Sequence, residues 1–481
     1  MLSLSKHVQC TLRQAQGERR RGRRTEYFMD CISTKNPELK VSFLEAIQFG
    51  QAPDGGLFVP KSIPQISKKE WQVFSGLDFQ ELSVRLAQKW LTGELPPDVI
   101  QELTERALDF SVPLVSVTPN ISVLELFHGP SASFKDFGAR FLAQFLRQAL
   151  QEKKKRAFVL TATSGDTGSA VAQGFYGMSE VDVILLYPSG KVSPLQEKQM
   201  TTLGKNVTAL EMDGTFDDCQ KLVKQAFSDP DLKSLGLTSA NSINLGRLIP
   251  QSFYYVYASL CCSKCLAPTA KELQLEPGTY CVVPSGNLGN LTAGVLAKRM
   301  GAPITGFIVA LNANDEFHQY LLTGNFKAKP SKKTLSNAMD VGNPSNLERL
   351  RSLYNGDFQK MRAEIQSVSV SDRETEKTIQ DVFKKHQYLL DPHGAVGWAA
   401  LSSLQQVQNT SPTPPPAGGV GRGVYILLET ADPAKFSEII TPLIQKKIPM
   451  STALQSVLKK KGNSILLPKK YEDFKKFLKK Y

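Results

Sequence analysis

From residue 119 the chain repeats one pattern of apolar and polar positions: a short apolar run, a turn of small residues, then a helical segment. Ala157-Phe-Val-Leu-Thr-Ala-Thr163 reads as a buried strand, followed by Ser164-Gly-Asp-Thr-Gly168 and a helix over Ser169–Phe175. Asp182–Tyr187 leads into a polar helix ending near Met200, and Asn206–Met212 leads into Thr215–Phe227. Tyr280–Pro284 leads into Ser285-Gly-Asn-Leu-Gly-Asn290 and a helix to Met300, and Gly423–Leu428 into a helix from Ala434. Apolar strands alternating with helices predict α/β architecture, with parallel sheets covered on both faces. Residues 29–118 carry helical periodicity instead, at Asp78–Trp90 and Pro97–Phe110, and read as a smaller N-terminal subdomain. The division expected is therefore 29–118, a first α/β domain over 119–245 and a second over 246–453. Thr410–Gly423 is a Pro/Gly-rich loop whose glycines follow no strand, so it is no dinucleotide fingerprint.

The ends differ from the body in charge. The chain has 481 residues and net charge +13. Residues 1–28 contribute +5 and residues 454–481 contribute +7, which leaves +1 for everything between. Residues 1–28 lack the apolar core of a secretory signal and read as a disordered leader. It is either an Arg-rich transit peptide or an upstream extension before a second start at Met29. In 454–481, Leu466, Leu467, Phe474, Phe477 and Leu478 alternate with lysine pairs, which predicts an amphipathic end helix with a solvated basic face. A strongly basic balance raises the possibility of a nucleic-acid partner. The neutral body and the absence of a recognised nucleic-acid motif argue against one. No apolar run approaches the roughly 20 residues of a membrane span. Seven cysteines, with one unaccompanied Cys262-Ser-Lys-Cys265, favour reduced thiols over a zinc site. The expectation is a cytoplasmic protein with no membrane and no nucleic-acid partner, a monomer or homodimer.

Ligands of open parallel sheets bind beyond the carboxyl ends of the strands. That makes the turns Ser164–Gly168 and Ser285–Asn290 candidate site segments. The second is either a helix cap or a phosphate cradle built from backbone N–H groups and a helix dipole. A third segment, Phe127-His-Gly-Pro-Ser-Ala-Ser-Phe-Lys-Asp136, runs into a helix with Phe137, Phe141 and Phe145 on one face. Ser133 is the expected N-cap. Lys135 then falls in the first turn between two phenylalanines, where dipole and apolar surroundings disfavour a cation. Such a lysine is either a Schiff-base nucleophile with a lowered pKa or a solvated partner of Asp136.

A set of motifs in consistent order resolves the alternatives. The chain resembles the threonine synthases, pyridoxal-phosphate enzymes of the fold-type II (tryptophan-synthase-β) class, in their longer branch. The matches are Ala52-Pro-Asp-Gly-Gly-Leu-Phe-Val-Pro60, Phe127-His-Gly-Pro130 with Phe134-Lys-Asp136, and Ala162-Thr-Ser-Gly-Asp-Thr-Gly168. They continue with Gly190–Gln196, Asn241-Ser-Ile-Asn244 with Arg247, Pro284–Asn290, Ala338–Asn346, Asp391-Pro-His393 and Pro433-Ala-Lys-Phe436. The resemblance covers roughly residues 30–470. It implies two parallel-sheet α/β domains plus the N-terminal subdomain, and pyridoxal 5'-phosphate as cofactor. It makes Lys135 the Schiff-base lysine, Gly286, Asn287, Leu288 and Asn290 the cofactor-phosphate loop, and Thr430 the hydroxyl facing the pyridine nitrogen. Ser164, Asp166 and Thr167 fall at the amino-acid end of the substrate, and Lys191, Ser193, Asn244 and Arg247 at its phosphate.

The activity implied is conversion of O-phosphohomoserine and water to threonine and phosphate, the last step of threonine biosynthesis. A phospholyase or dehydratase on the same fold is the near alternative, and a basic nucleic-acid-binding protein the distant one. The sequence departs from the family pattern at Ser131-Ala-Ser133, Leu245-Gly246, Leu288 and Gly394, all beside the expected site.

Overall fold

The computed structural model describes residues 29–266, 278–410 and 423–480. The leader, the Pro/Gly-rich segment 411–422 and residues 267–277 lie outside the described residues. Three short antiparallel strands, β1 (Cys31–Ser33), β2 (Lys40–Val41) and β3 (Phe58–Pro60), open the chain. Helix α1 (Phe79–Trp90) follows. Asp78 caps it and Glu81 closes the capping box, which satisfies two otherwise unpaired backbone donors. Helix α2 (Pro97–Ala107) completes this part.

Next come β4 (Leu114–Thr118), β5 (Ile121–Glu125), α3 (Lys135–Glu152), β6 (Ala157–Ala162), α4 (Asp166–Phe175) and β7 (Val181–Pro188). They are followed by α5 (Pro194–Thr201), β8 (Val207–Asp213), α6 (Phe216–Ser228), β9 (Leu237–Ser239) and α7 (Gln251–Leu266). The remaining elements used below are β10 (Thr279–Pro284), α8 (Gly289–Arg299), β11 (Gly306–Leu311) and β12 (Ile365–Ser369). After them lie α9 (Pro392–Thr410), β13 (Val424–Glu429), β14 (Ile465–Pro468) and α10 (Tyr471–Leu478).

Among the described residues two larger sheets form. One has the order β12-β11-β10-β13-β5-β4 and the other β14-β8-β7-β6-β9. All neighbours in these sheets run parallel except β4 and β5. Strands β6, β10 and β11 are buried at every position, as a sheet covered on both faces requires.

Two boundaries drawn from the sequence need correction. Residues 114–118, expected in the N-terminal subdomain, and 119–125, expected in the first α/β domain, belong to the six-stranded sheet, because β4 pairs with β5, and β5 with β13 in parallel register from Ile121↔Tyr425 to Glu125↔Glu429. The chain therefore leaves the far sheet just before α3, which carries Lys135 across to the other. The basic tail is more than an end helix. Leu466 and Leu467 lie in β14, which pairs with β8, and only then does α10 bury Phe474 and Leu478. Its lysines are also partly committed within the chain: Lys475 pairs with Asp229 at 2.8 Å and Asp231 at 2.9 Å.

Phe137, Phe141 and Phe145 are fully buried along one face of α3. Phe141 and Phe145 stack at 4.3 Å, and Phe137 meets Tyr254 of α7 edge-on at 5.0 Å. Phe79 of α1 meets the same Phe137 at 5.6 Å, so the N-terminal subdomain shares its core with the helix bearing Lys135. Aromatic contacts of this kind add to the area they bury and hold α3 rigid. No helix among the described residues is long and apolar enough to cross a membrane.

The tail's integration is testable. Phe474→Ala removes a fully buried ring and is expected to cost about 3 kcal/mol, read as a lower denaturant midpoint. An unchanged midpoint would mean that the tail does not support the sheet.

Candidate active site

A crevice lies where the carboxyl ends of the two sheets face each other, and Lys135 stands in its wall. Lys135 is the first residue of α3. The cap position is Phe134, not Ser133: no side chain caps this helix. Ser133 instead forms a bridge to Ala431, and the Phe134 N–H donates to the Thr430 carbonyl at 2.9 Å. The backbone just before Lys135 is thus stitched to the segment just after β13. That explains how a helix packed on one sheet presents its first side chain to the other.

The side chain of Lys135 is 12% exposed, with Nζ 3.9 Å from Asp166 Oδ2. Burial pushes its pKa down to about 8, with the Asp166 carboxylate working against the fall and the Lys435 and Arg247 cations adding to it. Pairing with Asp136 does not occur. Asp136 is buried on the other side of the turn, where it accepts the Ser131 N–H at 2.8 Å, and burial raises its carboxyl to about 6.

Asp166 begins α4 and is itself buried. Lys435 Nζ lies 2.6 Å from its Oδ1, and Gln196 Nε2 donates to the same oxygen at 2.9 Å. Burial opposes the charge, but Lys435 and Lys135 outweigh it and hold the carboxyl far below its ordinary range.

The opposite wall is the turn after β10. Gly286 packs against the backbone of residue 339 so closely that a Cβ there would sit 2.8 Å from Met339 Cα. Leu288 takes a left-handed conformation, φ 59°, and caps α8. Asn287 holds the turn: its Oδ1 accepts the Ser345 N–H at 2.6 Å and its Nδ2 donates to Ser242 Oγ at 2.8 Å. The hydroxyls of Tyr254 and Tyr255 donate to Asn290 Oδ1 at 2.6 and 2.9 Å, leaving the buried Asn290 Nδ2 without a partner. Arg247 is also buried. It donates from Nη1 to the Ala240 carbonyl at 2.6 Å, while its Nε has no partner. Burial lowers its pKa to about 10, so it stays a cation at neutral pH.

A helix N-terminus and buried unpaired donors are what a phosphate-bearing ligand satisfies. Thr430 brings a hydroxyl to the same crevice, and Ser164 and Thr167 line it from the turn after β6. The residues present fit pyridoxal phosphate: an amine of lowered pKa, a phosphate cradle and a hydroxyl between them.

Other expected residues are placed elsewhere. Lys191 is exposed, and Ser193 caps α5 in a capping box with Gln196. Asn244 is spent on structure: it donates to the Ile47 and Ser239 carbonyls and accepts the Gly246 N–H. Of the four expected substrate-phosphate ligands, only Arg247 lines the crevice. Asp166 does not face the crevice, and its carboxylate serves the lysines.

His393 and Lys435 had no expected role, although both sit in motifs that carry the resemblance. His393 lines the crevice. Its Nε2 accepts the Ala338 N–H at 3.3 Å, and its Nδ1 lies 2.7 Å from Asp391 Oδ1. Ala338–Val341 is thereby held over the turn at Gly286. A lysine and a histidine within otherwise apolar segments were the available signal. The departure at Gly394 also has a cause: a Cβ there would lie 1.7 Å from Glu429 Oε2. Burial and then Asp391 raise the Glu429 carboxyl well above its ordinary range, and it fills that space.

Comparison with known proteins gives the family. Residues 117–413 match the family model for pyridoxal-phosphate dependent enzymes, and residues 30–108 match the model for the threonine synthase N terminus. The chain is 40% identical over 427 residues to threonine synthase of Haemophilus influenzae, covering 89% of this chain and 94% of the relative. It is 36% identical over 469 residues to threonine synthase of Saccharomyces cerevisiae, covering 85% and 88%. The crystal structure of threonine synthase from Escherichia coli superposes with a TM-score of 0.83 at 37% identity, covering 94% of this chain and all of that one. The pyridoxal-phosphate-bound threonine synthase from Brucella melitensis superposes at 0.82 and 31% identity, covering 94% and 99%.

Fold and family match together define a pyridoxal-phosphate dependent enzyme of fold type II. Within that class the N-terminal subdomain and the full-length matches are decisive. The chain belongs to the threonine synthase family.

Gly286→Ala places a methyl against the 339 backbone at the cradle. Cofactor affinity is expected to fall at least about tenfold, or 1.4 kcal/mol, in an absorbance titration. Undiminished affinity would remove this turn from the phosphate site.

Proposed function

We propose that the protein converts O-phosphohomoserine and water to threonine and phosphate. The observation that carries the reading is one crevice lined by a buried amine of lowered pKa, by Arg247, and by a facing turn whose buried Asn290 Nδ2 has no partner. Gly286, Asn287, Leu288 and Asn290 hold the cofactor phosphate at the N-terminus of α8, and the Thr430 hydroxyl faces the ring nitrogen. Ser164 and Thr167 receive the carboxylate of the amino acid at the N-terminus of α4, where a helix dipole favours an anion. Arg247 receives the substrate phosphate, for which a guanidinium with free donors is suited.

Bound pyridoxal phosphate supplies the carbonyl carbon that captures the substrate amine and the conjugated ring that stabilises the electron pair left when Cα–H breaks. The protein's own part is proton movement and exclusion. Lys135 Nζ takes the proton from Cα and relays that of Cβ, acting as base and then acid. Phosphate departs from Cγ towards Arg247, the relayed Cβ proton ends on Cγ to form the methyl, the hydroxyl of water adds at Cβ, and the two remaining protons end on Cα and on the released phosphate. The same reading makes the protein a cytoplasmic monomer or homodimer with no nucleic-acid partner. The in-chain pairing of the tail lysine Lys475 supports the last point.

Incubation of the purified enzyme with O-phosphohomoserine is expected to yield threonine and phosphate in equal amounts. A 2-oxo acid and ammonia in place of threonine would instead establish a phospholyase. Lys135→Ala is expected to abolish phosphate release, and release near the parent rate would sink the assignment. The pH dependence follows from the sign of the Lys135 shift. Its cation cannot accept a proton, so kcat should rise as pH passes upward through about 8 and fall tenfold per unit below it. A rate independent of pH between 6 and 9 would contradict the amine as base.

A further inference from the structure

Beside the crevice lies a buried cation with no role in the reaction as described. Lys435 lies in the turn Pro433–Phe436 after β13, and its ammonium is fully buried. It donates to the Ser131 carbonyl at 2.9 Å and lies 2.6 Å from Asp166 Oδ1. Asp166 comes from α4 on the other sheet, so this ion pair joins elements of the two sheets. The other oxygen of Asp166 is 3.9 Å from Lys135 Nζ. One carboxylate therefore stands between two lysines, tightly against one and loosely against the other.

We propose that Lys435 is a positioning residue: it commits Asp166 to a close ion pair and so leaves the Lys135 amine free to act as a base. The proposal rests on Lys135 being that base. Coulomb attraction falls with distance, and most steeply in energy where water is excluded. With Lys435 removed, Lys135 becomes the nearest cation to a buried carboxylate, and pairing holds it as an ammonium. The other groups acting here do not replace Lys435. Gln196 donates to Asp166 without charge, His393 acts on it from α9, and Arg247 and Asp391 act on Lys135 from opposite signs. Lys435 itself does not line the crevice, so it acts through Asp166 and not on substrate.

The test compares pH profiles of the cofactor-loaded parent, Lys435→Met, Lys435→Arg and the double variant Asp166→Asn/Lys435→Met. In Lys435→Met the acid limb of kcat should move up by about one unit, making the enzyme about tenfold slower at neutral pH with recovery at high pH. KM should change less. The visible absorption of the loaded protein, read without substrate, should titrate in the same direction. Lys435→Arg keeps the cation and the parent's profile. The double variant, which strands no charge, should return the limb towards the parent's. An equal loss at every pH, or a limb still raised in the double variant, would overturn the proposal. If Lys435→Met does not fold, Asp166→Asn decides: the unopposed Lys435 should move the limb to lower pH, and no movement overturns the idea. Absence of threonine from the parent reaction would instead defeat the assigned activity, whereas the substrate-free absorption titration judges Lys435 separately.

Discussion

Keeping one amine out of water between two parallel sheets is the constraint on which the structure depends. Lys135 sits at the first turn of α3, where burial and the helix dipole both oppose its charge. Left to itself it would swing to solvent. The fold prevents this by fixing the backbone on both sides of it. Phe137, Phe141 and Phe145 bury the helix behind it, and the Phe134–Thr430 and Ser133–Ala431 contacts tie the residues before it to the facing sheet. The N-terminal subdomain reinforces the same helix through Phe79.

Charge in the crevice is arranged to be nearly balanced and tightly assigned. Asp166 is shared between Lys435 and Lys135, Asp391 is spent on the ring of His393 and on backbone donors, and burial raises the Glu429 carboxyl well above its ordinary range. What remains uncommitted is Asn290 Nδ2, at the turn facing the amine, and Arg247 Nε, which lies against Gly138 of α3. Buried polar groups without partners are uncommon in folded proteins and point to a ligand. The overall +13 bears little on this chemistry, because most of it lies in the two ends, and part of the tail's share is paired with Asp229 and Asp231.

Much of the fold was legible because buried strands and amphipathic helices leave strong periodic signals. The strands at Ala157, Asp182, Asn206, Tyr280 and Gly423 all fall within one or two residues of those found. Sheet membership was not legible. Nothing in Ile121–Glu125 says that it pairs with residues 425–429, three hundred positions later, and β14 reads as half of an amphipathic helix until its pairing with β8 is seen. The crevice was partly legible. Lys135, Thr430 and the turn at Gly286 came from motifs whose chemistry is local. Asn244 and Ser193 looked like ligands because amide and hydroxyl side chains serve equally well as helix caps, and only their partners separate the two uses. Lys435 was hidden for the opposite reason, since its partner lies on another sheet.

Which lysine holds the cofactor is the central question for this enzyme. Borohydride reduction of the loaded enzyme, followed by proteolysis and mass spectrometry, fixes the cofactor to the nitrogen it occupies. The result expected is a pyridoxyl group on Lys135 alone. A label on Lys435 or on any other lysine, or none at all, would contradict it.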